Sequence, residues 1–362
     1  MKSLDFYKGK TVLVTGHTGF KGAWLSIWLE ILGAKVVGLA LDPKENDGIY
    51  QKSGIASKIV DYRGDIKDRK LIRKVLAKEN PDIVFHLAAQ ALVLPSYSDP
   101  IYTYEVNVMG TAHLLEEIRN TDSVKTIICI TTDKVYENKE WIWPYREDEA
   151  IGGYDPYSSS KGMCELLINS YRSSFYNPAS HSLHGKSLAS VRAGNVIGGG
   201  DWCENRIVPD CIRAIRNEIE IQVRSPKAVR PWQHVLEPLS GYLKLGAMMA
   251  ENPQKYCEAW NFGPESSNIT TVKDLVEKII SVYGKGNWSD TSDPEDLHEA
   301  KLLSLDINKA KYKLNWNPVL SFEETIEFTV EWYKNNSKSD MYDFTKNQIK
   351  NYITKCNSRK AN

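Results

Sequence analysis

Lys10-Thr-Val-Leu-Val-Thr15 runs directly into Gly16-His-Thr-Gly19-Phe-Lys-Gly22 and then into Ala23-Trp-Leu-Ser-Ile-Trp-Leu-Glu-Ile-Leu32. The opening run is short and apolar, as a parallel strand buried on both faces requires. The closing run reads as a helix, and Gly33 stops it. Glycines at such a strand-to-helix turn let the backbone approach a pyrophosphate, which the helix N-terminus then stabilises. Gly16, His17, Thr18, Gly19, Phe20, Lys21 and Gly22 are therefore candidate cofactor contacts. A second apolar run, Ala34-Lys-Val-Val-Gly-Leu-Ala-Leu41, ends at Asp42. A carboxylate about 20 residues past the glycines accepts hydrogen bonds from an adenosine ribose and repels a 2′-phosphate. With no arginine expected beside Asp42, NAD should be preferred to NADP. An ordinary glycine-rich turn is the bland alternative, yet strand, helix and acid all stand where the motif needs them. His17 occupies a loop position where a smaller residue would crowd a cofactor less, and its side chain is expected to point to solvent.

The alternation continues outward. Ile59-Val-Asp-Tyr62 and Gly64-Asp65-Ile66 precede a helix over 69–79, and Pro81-Asp-Ile-Val-Phe-His-Leu-Ala-Ala89 is a strand followed by Gln90. Asp65 and Ile66 fall where an adenine is held, while Ala88 and Ala89 let the chain pass close to a cofactor. A long helix over 100–119 carries Asn107 in its middle, and a strand over 124–132 follows. Strand alternating with helix predicts an α/β fold, a Rossmann-type doubly wound parallel sheet with its site at the strands' carboxyl ends. Residues 1–190 are expected to form the NAD-binding domain. Residues 191–333 should form mainly a smaller mixed substrate-binding lobe, with some segments returning to the sheet. The lysine-rich stretch 334–362 reads as a frayed helix or mobile tail.

From the strand over 124–132 onward, the sequence carries its chemistry in two places. Thr131-Thr132-Asp133-Lys134 ends that strand, and Tyr157-Ser-Ser-Ser-Lys161 begins a helix, with Asp155 as its cap and Pro156 at its first position. Tyr157 and Lys161 then share one helical face, and a lysine beside a tyrosine favours the phenolate of a general base. Nineteen tyrosines make chance pairs expected, and Tyr342 with Lys346 is one. Arg206, Arg224 and Arg230 among aromatics suit a nucleotide diphosphate, through bidentate contacts and stacking. Surface salt bridging is the competing reading of each.

Composition narrows the field. The chain has 362 residues with 46 basic and 46 acidic side chains, so no global field points to nucleic acid or membrane. Six cysteines without a C-x-x-C pair argue against zinc and against a disulfide framework. His181 and His184 lie in a polar stretch read as a solvated loop, so no metal is expected. No signal core or membrane span is seen, and a soluble cytoplasmic protein is expected. The helices over 100–119 and 156–176 are apolar enough to pair with a second copy, which predicts a homodimer. Whether dimers pair into tetramers is open.

These motifs resemble the extended short-chain dehydrogenase/reductase family, and within it the CDP-glucose branch of the nucleotide-sugar 4,6-dehydratases, over about 9–333. The specific marks are Gly-His-Thr-Gly-Phe-Lys-Gly, His86-Leu-Ala-Ala-Gln90, Thr132-Asp-Lys-Val-Tyr136, Arg192-Ala-Gly-Asn-Val-Ile-Gly-Gly-Gly-Asp-Trp202 and Arg230-Pro-Trp-Gln-His-Val-Leu-Glu-Pro238. In TDP-glucose and GDP-mannose dehydratases a glutamate resembles the position of Lys134, so lysine favours the CDP-glucose branch. Leu94-Pro95 departs from the pattern, since relatives often carry an arginine there. The resemblance implies NAD as cofactor, with Leu87, Gln90 and Asn107 among its contacts. It implies CDP-D-glucose as substrate, held by Gln90, Asn195, Asp201, Trp202, Arg206, Arg224, Arg230, Trp232 and His234. Tyr157 would take the 4-hydroxyl proton, with Thr132 and Lys161 assisting; Asp133 would be the acid for the 6-hydroxyl. Lys134 would remove the C5 proton, provided that a closed site buries it. A 4-epimerase or a non-catalytic NAD sensor on the same fold are the rivals.

Overall fold

The computed structural model describes residues 2–265, 269–293, 302–337 and 340–359. Seven strands make the central sheet: Thr11–Thr15 (β1), Lys35–Ala40 (β2), Val60–Arg63 (β3), Ile83–His86 (β4), Thr126–Ile130 (β5), Ser187–Ala193 (β6) and Ala259–Phe262 (β7). Every pairing is parallel, in the order β7-β6-β5-β4-β1-β2-β3. The order reverses between β1 and β4, and the loops leaving them part to open a crevice at their carboxyl ends. Of the described strands that begin past residue 190, β7 returns to the sheet and pairs with β6, while the others form three two-stranded sheets of their own.

Side chains of β1 alternate between two cores, as the period of a strand demands. Val12 and Val14 face the cluster holding Trp24 and Trp28, while Leu13 joins Leu39, Ile72 and Leu115 on the other face. Helix Phe20–Ile31 (α1) covers the first face. Helix Arg69–Glu79 (α2) covers the second, started by Asp68, whose carboxylate accepts from the Lys70 and Leu71 amides, and ended by left-handed Asn80. The expected helix over 100–119 (α3) is interrupted: α-helix Pro100–Tyr104, a π-turn Glu105–Met109, then α-helix Gly110–Arg119. Helix Pro156–Ser174 (α4) has the predicted Asp155 cap, bonded to the Ser158 amide at 2.9 Å, and Pro156 in its first turn.

Two parts of the C-terminal half differ from the sequence reading. Leu236–Glu251 (α5), to which the sequence reading gave no element, is buried nearly all round and lies against the sheet. Helix Val272–Tyr283 (α6) has a Thr271–Asp274 capping box, and Phe322–Asn335 (α7) a Ser321–Glu324 one. The stretch read as a frayed helix or mobile tail is a packed helix, Met341–Ser358 (α8), over most of its described length. Met341, Thr345, Gln348, Ile349, Tyr352 and Cys356 are its buried stripe, hidden in sequence by the lysines between them. Trp28 meets Tyr352 edge-on with centroids 5.8 Å apart, and Trp332 donates to Thr345 at 3.0 Å. The stretch read as a solvated loop contains a short helix, His181–His184. Among the described residues no group of three His, Cys, Asp or Glu side chains is placed to hold a metal.

Candidate active site

The phosphate loop is shaped by close approaches that no side chain tolerates. Gly16 has φ +75°, and a Cβ there would lie 2.7 Å from the Ala88 amide. At Gly22 it would lie 2.1 Å from the Gly16 carbonyl. Gly19 caps α1 without a side-chain bond, so the helix presents backbone amides at its start. Thr18 closes the loop onto the Leu41 carbonyl at 3.0 Å. His17 does not point to solvent. Its ring is wholly buried beneath Gly38, edge-on to Tyr50, with Nε2 2.8 Å from Asp61 Oδ1. The open space beside a glycine in β2 and the carboxylate below it decide this, and burial lowers the ring's pKa.

Beyond the loop, Thr15 Oγ1 lies 2.7 Å from His86 Nδ1, and Thr111 Oγ1 lies 2.9 Å from His86 Nε2. Burial lowers the His86 pKa to about 3, keeping the clamp neutral. Ala88 donates its amide to Thr15 Oγ1, and Leu87 and Ala89 flank it half-buried. The Gln90 side chain is committed to its own loop, bonding Leu92 N, Leu92 O and Thr103. Asn107, in the π-turn, holds the Gln90 backbone through Oδ1 at 2.8 Å and Nδ2 at 3.0 Å, and reaches Ser160 at 2.8 Å. The extra residue of a π-turn re-aims one side chain, here Asn107, between loop and helix. Asp65 accepts the Lys67 amide at 2.8 Å, and Ile66 is buried against Gly110.

The chemistry-bearing groups converge where β5 ends and α4 begins. Thr132 Oγ1 donates to Asp133 Oδ1 at 2.9 Å and shares a hydrogen bond with Tyr157. Burial pushes the Tyr157 pKa up to about 12; the Thr132 hydrogen bond and the Arg206 charge pull against it. Lys161 is buried and donates to the Ile130 carbonyl at 3.3 Å, and burial lowers its pKa. One turn further along the same face stands Glu165, which the sequence did not single out. It accepts from Thr131 at 2.5 Å, Ser190 at 2.8 Å and Arg192 at 2.9 Å, locking α4 onto β5 and β6. The spacing 157, 161, 165 was its available signal.

Lys134 departs from expectation. Asp133, Val135 and Tyr136 are buried, while Lys134 is exposed and forms no ion pair among the described residues. It lies in a 3₁₀ turn, Asp133–Val135, whose three-fold geometry turns one side chain outward when its neighbours go in. Tyr136 sets the choice, bonding Asn261 at 2.7 Å and Arg192 at 2.7 Å. Lys21 goes the other way: half-buried at the start of α1, it sits in the field of Arg206, Asp133, Lys161 and Asp201. Burial first, then Arg206, lowers its pKa to about 8.

The residues expected on the substrate are dispersed. Asn195 adopts a left-handed φ of +45° and its carbonyl accepts the Gln233 amide. Asp201 pairs with Arg206 at 2.7 Å, and Arg206 is close enough to act on Tyr157 electrostatically. Arg224 is exposed near Asp210, and Arg230 sits on the short strand Val229–Pro231. Trp202 is buried and tied to the Asp47 carbonyl at 2.7 Å; Trp232 is buried as well. His234 lies wholly in the core between Trp24 and Phe328, away from the crevice. Tyr342, the rival of Tyr157, donates instead to Glu30 on α1. Gly194 lies against Asp133, where any Cβ would collide with its carboxylate, and lines a cavity of about 190 Å³ with Pro231, Gln233 and Glu265.

A model of the GDP-mannose 4,6 dehydratase family matches residues 13–329. The chain belongs to the GDP-mannose 4,6 dehydratase family. It is 45% identical to a CDP-glucose 4,6-dehydratase of Salmonella typhimurium over 97% of this chain and 98% of that one. Epimerase Mth375 of Methanothermobacter thermautotrophicus superposes with a TM-score of 0.80 at 25% identity, covering 93% of this chain and 96% of its own. The dTDP-glucose 4,6-dehydratase DesIV of Streptomyces venezuelae, solved with NAD, shares the fold at TM-score 0.75 and 22% identity, over 90% of this chain and 97% of that one. No described helix is long and apolar enough to cross a membrane.

Proposed function

We propose that the chain converts CDP-D-glucose to CDP-4-keto-6-deoxy-D-glucose and water, using NAD that each turnover regenerates. The observation that carries the reaction type is Asp133, a buried acid bonded to Thr132 beside the Tyr157 phenol. A 4-epimerase needs the tyrosine but leaves the 6-hydroxyl in place, so it needs no acid to expel it. The nucleotide is supported by the relative that matches end to end. The glycine turn, the uncapped α1 and Asp42 fit a dinucleotide. When bound, NAD supplies an acceptor for the C4 hydride and its donor to C6.

Tyr157 takes the proton of the 4-hydroxyl, and Thr132 steadies that oxygen. Lys161 is the residue that would hold the cofactor ribose, and its charge together with that of the nicotinamide would oppose the burial that raises the Tyr157 pKa. The new ketone acidifies C5–H; a lysine removes that proton, Asp133 gives one to the departing 6-hydroxyl, and water leaves with a C5–C6 double bond formed. The same lysine returns a proton to C5 as hydride reaches C6. Lys134 is the base the sequence motif supports. Lys21 is the second candidate, favoured by its lowered pKa of about 8 and its place beside Asp133 and Lys161. Arg206, Arg224 and Arg230 are assigned to the diphosphate, and Asn195 and Asp201 to other parts of the substrate. Exposed Met109 on α3 and Leu166 on α4 support a homodimer formed through these helices.

One assay tests the reading. Protein with CDP-glucose and NAD+ should yield the alkali-sensitive chromophore of a 4-keto sugar. A CDP-hexose epimerised at C4 would make the chain an epimerase. NAD+ binding without any turnover would make it a sensor.

A further inference from the structure

The carboxylate read from the sequence as standing alone has an arginine beside it. Arg63 is the last residue of β3, in register with Ala40 at the end of β2. Its Nε lies 3.9 Å from Asp42 Oδ1, at the rim where an adenosine ribose is expected. The guanidinium is fixed from three sides. NH2 donates to Tyr50 Oη at 2.6 Å and Asp61 Oδ2 at 2.8 Å, and NH1 donates to the Leu41 carbonyl at 3.3 Å. Its Cζ lies 4.8 Å from the Tyr50 ring centroid. Leu41 O also accepts from Thr18, and Asp61 also meets buried His17, so the phosphate loop and this arginine share one scaffold.

We propose that Arg63 is a specificity-determining residue of the cofactor site: a preformed cradle for the 2′-phosphate of NADP, which the exposed Asp42 holds closed. The inference rests on reading β1–α1–β2 as the dinucleotide site. Asp61 and Tyr50 take both hydrogens of NH2, while the Nε hydrogen and one on NH1 make no hydrogen bond among the described residues. These two donors remain for phosphate oxygens, on a guanidinium whose ordering is already complete. Asp42 is 88% exposed in its side chain, so it is set by its charge and not by packing. Neutralising it removes the repulsion and leaves the arginine in place.

The test is calorimetric binding of NAD+ and NADP+ to the full chain, which needs no turnover. Asp42→Asn should tighten NADP+ by about tenfold or more, the size expected of a new charge-assisted hydrogen bond together with the removal of one repulsion, and should weaken NAD+. Adding Arg63→Met should erase the NADP+ gain; Arg63→Lys, which keeps charge without the planar fork, should lose most of it and serves if the methionine variant no longer binds NAD+. NADP+ affinity unchanged within about twofold in Asp42→Asn, or a gain that survives both Arg63 replacements, overturns the role of Arg63. Failure of the unaltered chain to bind NAD+ would instead overturn the cofactor reading itself.

Discussion

Tyr157 is buried at the mouth of α4 and bonded to Thr132, so its hydroxyl has a chemical setting and its ring a packing one. Tyr157→Phe keeps the ring and deletes the proton carrier. Folding should be little changed, and the hydride step, followed as bound NADH, should slow by about 100-fold or more. Near-normal turnover would transfer the role elsewhere, though not to Tyr342, whose hydroxyl is committed to Glu30. The C5 base is decided by a pair of variants. If Lys134 is the base, Lys134→Met should still oxidise CDP-glucose but form no product and take no solvent deuterium into C5, while Lys21→Met exchanges normally. The reverse pattern assigns the step to Lys21. Wild-type exchange in both variants removes lysine from that step.

At the scale of elements, α8 is held to the body by a buried acid. Glu237 on α5 accepts the Val319 and Leu320 amides at 2.8 and 2.7 Å through Oε1, and Tyr352 Oη lies 2.6 Å from Oε2. Burial raises its pKa from 4.5 to about 7, against the pull of those donors. A folded-state pKa above the unfolded one means stability that is fully present below about pH 4.5 and is lost as pH rises through about 7. The loss is on the order of 3 kcal/mol. Glu237→Gln copies the neutral acid, with one acceptor oxygen for the amides and a donor for Tyr352. Its melting temperature should therefore lack the decline between pH 5 and 8 that the unaltered chain shows. Parallel curves for the two proteins would mean that Glu237 does not ionise in the fold over that range.

At the scale of the whole molecule, Leu166 is 61% exposed on α4 and Met109 49% exposed on α3, on helices whose other faces are buried. Leu166→Glu places a charge on that surface without touching the core. Sedimentation should find a dimer for the unaltered chain and a monomer for the variant; a dimer in both would move the interface elsewhere. The sequence by itself determined the parallel sheet, because strands buried on both faces are written as apolar runs and the glycine turn between β1 and α1 has few alternatives. It also determined the cap of α4 and the face that carries Tyr157 and Lys161, since helix periodicity is local. Only the tertiary structure decided the rest. It turned His17 inward onto Asp61, because space under Gly38 comes from a neighbouring strand. It set Arg63 beside Asp42, two residues 21 apart that strand register alone brings together. It turned Lys134 outward because Tyr136 is anchored on β6 and β7, and it ordered α8 through a stripe that has meaning only against α1, α5 and α7. Contacts between distant segments leave no period in the chain, which is why these side chains were legible only once the sheet had placed them.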